Sequence, residues 1–81
     1  MTKEEIIAKV NEVLSEEFEV EVEAMEPDAS LKGVLGLDSL DLVDVVVLIE
    51  QNFGVTMKAA DFASIKTFGD FYDFIYTKVN G

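Results

Sequence analysis

Asp38-Ser39-Leu40-Asp41-Leu42-Val43-Asp44-Val45-Val46-Val47-Leu48-Ile49-Glu50-Gln51-Asn52-Phe53-Gly54 sets the fold class of this chain. Its spacing predicts a helix from Asp38 to about Gln51, ending before Phe53-Gly54, with Gly54 in a left-handed position after the last turn. At 3.6 residues per turn, Leu42, Val45, Val46, Ile49 and Phe53 form one apolar stripe suited to a core, with Asp41, Asp44 and Gln51 opposite. Leu40, Val43, Val47 and Leu48 fall outside that stripe. They either widen the buried face or belong to an interaction surface in which apolar side chains sit between carboxylates. Asp38 suits the N-cap, which places Ser39 in the first turn. Amides there lack intrahelical partners and the macrodipole favours anions, so a phosphate carried at Ser39 would be well placed. The competing reading makes Ser39 a plain first-turn serine.

The flanks read as more helix. Thr2 and Glu5 fit a capping box, and Ile6, Ile7, Val10, Val13 and Leu14 follow at helical spacing, predicting a helix over about 3–17. The strict alternation Phe18-Glu19-Val20-Glu21-Val22-Glu23-Ala24-Met25 is by itself a strand signal. With no partner strand to satisfy its backbone, residues 18–37 are expected instead to form an extended connection held by Val20, Val22, Leu31 and Leu35. An α+β arrangement is the alternative. Beyond Gly54, Val55 and Met57 tack down a loop, Ala59 to Ser64 allows a short helix or single turn carrying Phe62, and Ile65 packs after it. Thr67 caps a last helix, ending near Lys78, in which Phe68, Phe71, Tyr72, Ile75 and Val79 share a face. Phe74 and Tyr76 add to an aromatic group that suits a core better than a ligand cage. The expected fold is all-α: a four-helix bundle of three longer helices and a short third helix, with a long loop between the first two. Residues 1–81 are read as one domain.

Composition excludes several chemistries. The 81 residues contain no Cys and no His, which removes thiolate catalysis, serine-histidine triads and the commonest zinc ligands. Seventeen acidic residues against six basic ones give a net charge of −11, which disfavours nucleic acid and anionic membranes and favours basic protein surfaces. Neither an export signal nor a membrane-spanning run is visible, so the expected compartment is the cytoplasm. Asp38, Asp41 and Asp44 share a helix face, but their spacing is not that of a calcium loop, and exposed carboxylates lack the burial that separates catalytic pKa values. No metal site is expected, and without a general base Ser39 is a poor nucleophile by itself. Such a serine can still be the substrate of another protein's chemistry.

Gly36-Leu37-Asp38-Ser39-Leu40-Asp41, continued by Leu42-Val43-Asp44-Val45-Val46 and closed by Ile49-Glu50-Gln51-Asn52-Phe53, resembles the modification motif and second helix of the acyl carrier proteins. The likeness is strongest over residues 35–53, and the order of elements follows the family along nearly the whole chain, at a length resembling the free-standing type II carriers. The resemblance implies that a holo-carrier-protein synthase, a phosphopantetheinyl transferase, attaches 4′-phosphopantetheine from coenzyme A to Ser39. It also implies a non-enzymatic, monomeric carrier that shuttles acyl thioesters between enzymes of fatty-acid or related lipid or polyketide biosynthesis. Asp38, Leu40, Asp41, Val43, Asp44, Val47 and Glu50 match the family's recognition face for basic-surfaced synthases, reductases and acyltransferases. Val46, Phe53, Met57, Phe62, Ile65 and Phe71 match its acyl pocket.

The chain departs from the family at Val34, where many fatty-acid carriers have an acid, and at Lys58 and Lys66, which dilute an acidic region. Bulky Phe62 and Phe71 stand at positions that are often small, implying a reshaped pocket. A D-alanyl or peptidyl carrier protein and a non-carrier acidic helical interaction module are the alternative functions.

Overall fold

A computed structural model describes residues 2–80, excluding the side chains of Ser39 and Ala59. Four α-helices occur among the described residues: α1 (Lys3–Phe18), α2 (Leu31–Leu35), α3 (Ser39–Phe53) and α4 (Phe68–Asn80), with 3-10 turns at Val22–Ala24 and Ala59–Ala63. Among the described residues no helix is long and apolar enough to cross a membrane.

Local chemistry fixes where the long helices begin. The Thr2 hydroxyl accepts from the Glu5 amide at 3.2 Å and the Glu5 carboxylate accepts from the Thr2 amide at 2.9 Å, the capping box expected for α1. Those bonds stabilise the ionised carboxyl and hold the Glu5 pKa below its ordinary value. Thr67 repeats the device for α4. Its hydroxyl accepts from the Asp70 amide at 3.2 Å, while the Asp70 carboxylate accepts from the amides of Lys66 and Thr67 and is likewise held at a lowered pKa.

The three long helices bury one face each. Ile6, Val10 and Leu14 come from α1, Val45 and Ile49 from α3, and Phe68, Phe71, Tyr72 and Ile75 from α4. The Tyr72 hydroxyl donates to Asn11 Oδ1 at 2.5 Å, tying α4 to α1. Burial raises its pKa, partly opposed by that bond. Lys3 pairs with Asp73 across the same two helices, and the Lys9 ammonium lies 5.3 Å from the Phe53 ring centroid, joining α1 to the end of α3.

The connection from α1 to α3 differs from the expectation. Its alternating stretch forms no strand among the described residues. Because an unpaired strand leaves amides unsatisfied, the chain closes a 3-10 turn at Val22–Ala24, with the amides of Ala24 and Met25 donating to Glu21 and Val22. This turn exposes Val22, expected to pack, at 45% of its surface, and Met25 is buried instead. Leu31 and Leu35 do anchor the segment, though on a helix rather than extended chain: Ser30 Oγ accepts from the Gly33 amide, and Gly36, at φ 65°, closes the turn. The short helix or single turn expected over Ala59 to Ser64 takes the 3-10 form, burying Phe62 and followed by buried Ile65.

Glu19 ends α1 at φ 55°, a left-handed conformation that costs a residue with a Cβ about 1–2 kcal/mol, and its carboxylate sits at the negative end of the helix dipole. Glu19→Gly is expected to stabilise the fold by about 1 kcal/mol, a rise in Tm of roughly 4–8 °C in a domain of this size, read by thermal denaturation.

Candidate functional site

The start of α3 is built by one carboxylate. Asp38, at φ −109° and ψ −173°, turns its side chain back so that Oδ1 accepts from the amides of Leu40 at 2.9 Å and Asp41 at 3.0 Å. The Asp41 carboxylate reciprocates by accepting from the Asp38 amide at 3.2 Å. Ser39 therefore occupies the first helical position, as its spacing predicts. The expectation that its hydroxyl is reachable concerns a side chain outside the described residues. Sequence reasoning placed Asp41 on the outer face and missed its capping role. The signal was there, in the same three-residue spacing that identified Thr2 and Glu5.

This box also revises the expected seat for a phosphate. The amides of Leu40 and Asp41 already serve a carboxylate, so two first-turn donors are committed and two acidic groups border the position. A group carried there would be held by its covalent bond rather than by a cradle of amides.

Downstream, the surplus apolar residues separate into two sets. Leu40, Val43 and Val47 stand 78%, 52% and 44% exposed, while Leu48 is half-buried and widens the core face. The exposed three are spaced to share one side of α3, with exposed Asp44 and Glu50 nearby on the helix. Asp41 is only half-exposed, consistent with its capping bond. Among the described residues no group of three acidic side chains could hold a metal ion.

The six pocket positions meet at the core. Met57, Phe62, Ile65 and Phe71 are buried, and Val46 and Phe53 pack against the same cluster half-buried. Phe62 and Phe71 stack with ring centroids 6.1 Å apart and planes at 26°. Two open grooves border this core. One, of about 380 Å³, runs along α4 past Ile65, Asp70, Asp73 and Phe74; the other, of about 280 Å³, is lined in part by Phe62 and Ile65. Val46, Phe53, Met57 and Phe71 line neither.

Residues 8–75 match the family described as the phosphopantetheine attachment site. An acyl carrier protein of Thermotoga maritima is 41% identical over 78 residues, covering 96% of each chain, and one of Thermosynechococcus vestitus is 35% identical over 79 residues, covering 98% of each. The solved acyl carrier protein of Enterococcus faecalis superposes with a TM-score of 0.77 at 29% identity, covering 96% of this chain and 99% of that one. The chain belongs to the acyl carrier protein family. Its prosthetic group is covalently bound 4′-phosphopantetheine, and its work is to carry acyl groups for biosynthesis.

The cap sets a stability test. Asp38→Ala is expected to cost about 1 kcal/mol, whereas Asp38→Asn keeps an acceptor at the N-cap and stays within a few tenths of wild type. Paired thermal melts measure both.

Proposed function

We propose that the Ser39 hydroxyl carries the 4′-phosphopantetheine and that residues 1–81 work as one carrier domain. The observation that bears most weight is the placement of Ser39 at the first position of a firmly capped helix whose outer side presents Leu40, Val43 and Val47. A phosphopantetheinyl transferase would direct the Ser39 oxygen onto the phosphorus of coenzyme A that carries pantetheine. A phosphodiester forms, the pyrophosphate bond breaks, adenosine 3′,5′-bisphosphate leaves with the electron pair, and the serine proton passes to the transferase. The arm supplies a terminal thiol, the nucleophile a chain without Cys lacks. The chain itself catalyses nothing in this reading and serves, in the cytoplasm, as a monomeric substrate for other enzymes.

The carboxylates of Asp38, Asp44 and Glu50 would draw α3 toward Lys/Arg patches on synthases, reductases and acyltransferases, and Leu40, Val43 and Val47 would orient the encounter without large area. Such contacts are quick to form and to break, as a shuttle requires. Acyl chains would enter among Val46, Phe53, Met57, Phe62, Ile65 and Phe71, separating side chains that pack together here.

Incubation with coenzyme A and a phosphopantetheinyl transferase is expected to raise the intact mass by one phosphopantetheine, and Ser39→Ala to abolish the gain. A wild-type protein left unmodified would instead support an acidic interaction module. Asp44→Lys and Glu50→Lys reverse docking charges without disturbing the Asp38–Asp41 cap. Each is expected to slow transfer by partner enzymes several-fold at low salt, with the difference fading near 1 M salt, where the screening length is about 3 Å. Equal rates at low salt would remove this account of the docking face.

A further inference from the structure

Lys66, a basic residue in an acidic chain, lines the groove of about 280 Å³ that buried Phe62 and Ile65 also line. Lys32 lines the same groove, with Ser30 and Ala63 completing the lining. The backbone fixes this juxtaposition: the Leu31 amide donates to the Lys66 carbonyl at 3.1 Å, and Ser30 bridges to Thr67. Among the described residues no carboxylate lines the groove, although acids outnumber bases seventeen to six. Neither ammonium is hydrogen-bonded or ion-paired among the described residues. Asp70, which receives the Lys66 amide and whose carboxylate senses that lysine's charge, lines the neighbouring groove instead.

We propose that this groove seats the free carboxylate of a dicarboxylic acyl group carried as a half-thioester on the chain's own arm, an inference that rests on Ser39 being the attachment point. An apolar lining shared with two cations matches a short methylene chain ending in a carboxylate. The tether places it within reach. The Leu37 amide donates to the Lys32 carbonyl oxygen at 3.1 Å, and Ser39 lies two residues on, so its Cα is no more than about 12 Å from that oxygen. Tethering holds the cargo at a high effective concentration, so that ion pairs that are weak at an open surface become occupied. The arm's phosphodiester is a poorer occupant, because it stays at Ser39 beside the carboxylates of Asp38 and Asp41, while the acyl end is free to travel.

The test compares glutaryl and valeryl forms, which differ only in a terminal carboxylate against a methyl. A phosphopantetheinyl transferase and the corresponding acyl-coenzyme A load each one, and intact mass confirms loading. Glutaryl is expected to shift the amide resonances of Lys32, Ile65 and Lys66 relative to valeryl, and to slow thioester cleavage by hydroxylamine about two- to fivefold. Both differences should vanish in the K32Q/K66Q double variant and near 1 M salt. Equal shifts in the two loaded forms, or the same shifts already present in the unacylated holo form, overturn the proposal, the latter assigning the groove to the phosphate. A failure of wild type to gain mass overturns the Ser39 reading and this inference with it.

Discussion

The bond from the Asp38 carboxylate to the amides of Leu40 and Asp41 is the interaction on which the placement of α3 depends. It fixes the residue at which the extended chain becomes helix, and hence the phase of everything after it. With the helix begun at Ser39, Val45 and Ile49 fall on the core side while Leu40, Val43 and Val47 fall outside. One residue of slippage would rotate the helix by about 100°, burying a carboxylate or withdrawing the apolar trio. Gly54, at φ 69°, stops α3 after Phe53 and turns the chain toward Val55 and Met57, so both ends are set by backbone chemistry rather than by packing alone.

A net charge of −11 on a small chain is self-repelling, and the structure disposes part of it usefully. Glu5, Asp38, Asp41, Asp61 and Asp70 all accept backbone amides at helix or 3-10 starts, where the dipole favours a negative group. Lys78 stands in the last turn of α4, where a cation is favoured. The acids left over include Asp44 and Glu50, which stand exposed on α3 and in the proposed reading would meet a partner. In that reading Asp38 serves both the cap and the docking face while Asp44 and Glu50 serve docking alone, which is why a charge reversal at Asp38 or Asp41 would confound stability with recognition.

Much of this could be read from the chain, because helix signals are local. Thr2 with Glu5, Asp38 before an apolar run, Gly54 after it and Thr67 before Phe68 each marked a boundary within about two residues. Failures came where the outcome depended on distant partners. The alternation from Phe18 to Met25 carries a strand pattern, but strands exist only in pairs, and the absence of a mate is a property of the whole chain. Leu31 to Leu35 is too short for periodicity to reveal, and it holds its helix because Ser30 caps it and its apolar side chains reach a core assembled from residues far along the sequence. The exposed trio on α3 was visible as surplus, but separating it from Leu48 required knowing where the neighbouring helices lie.

The capped helix start and the filled core bear on how a carrier handles cargo. A phosphate clamped by several amides would immobilise the arm it anchors; if the arm is carried on Ser39 as proposed, the amides committed to Asp38 would leave covalent attachment as the restraint and the arm's rotations intact. Inside, Phe62 stacks on Phe71, so an acyl chain entering at the proposed pocket would have to part those rings and exchange close-packed contacts for contacts with the guest. That exchange costs little when the guest is apolar and of similar volume, and it reverses readily once the guest is withdrawn. A carrier must hold its load firmly enough to shield a thioester and loosely enough to surrender it at each stop. In the proposed reading an unclamped tether over a core able to reopen would meet both demands, because protection and release would then differ only in where the same side chains pack.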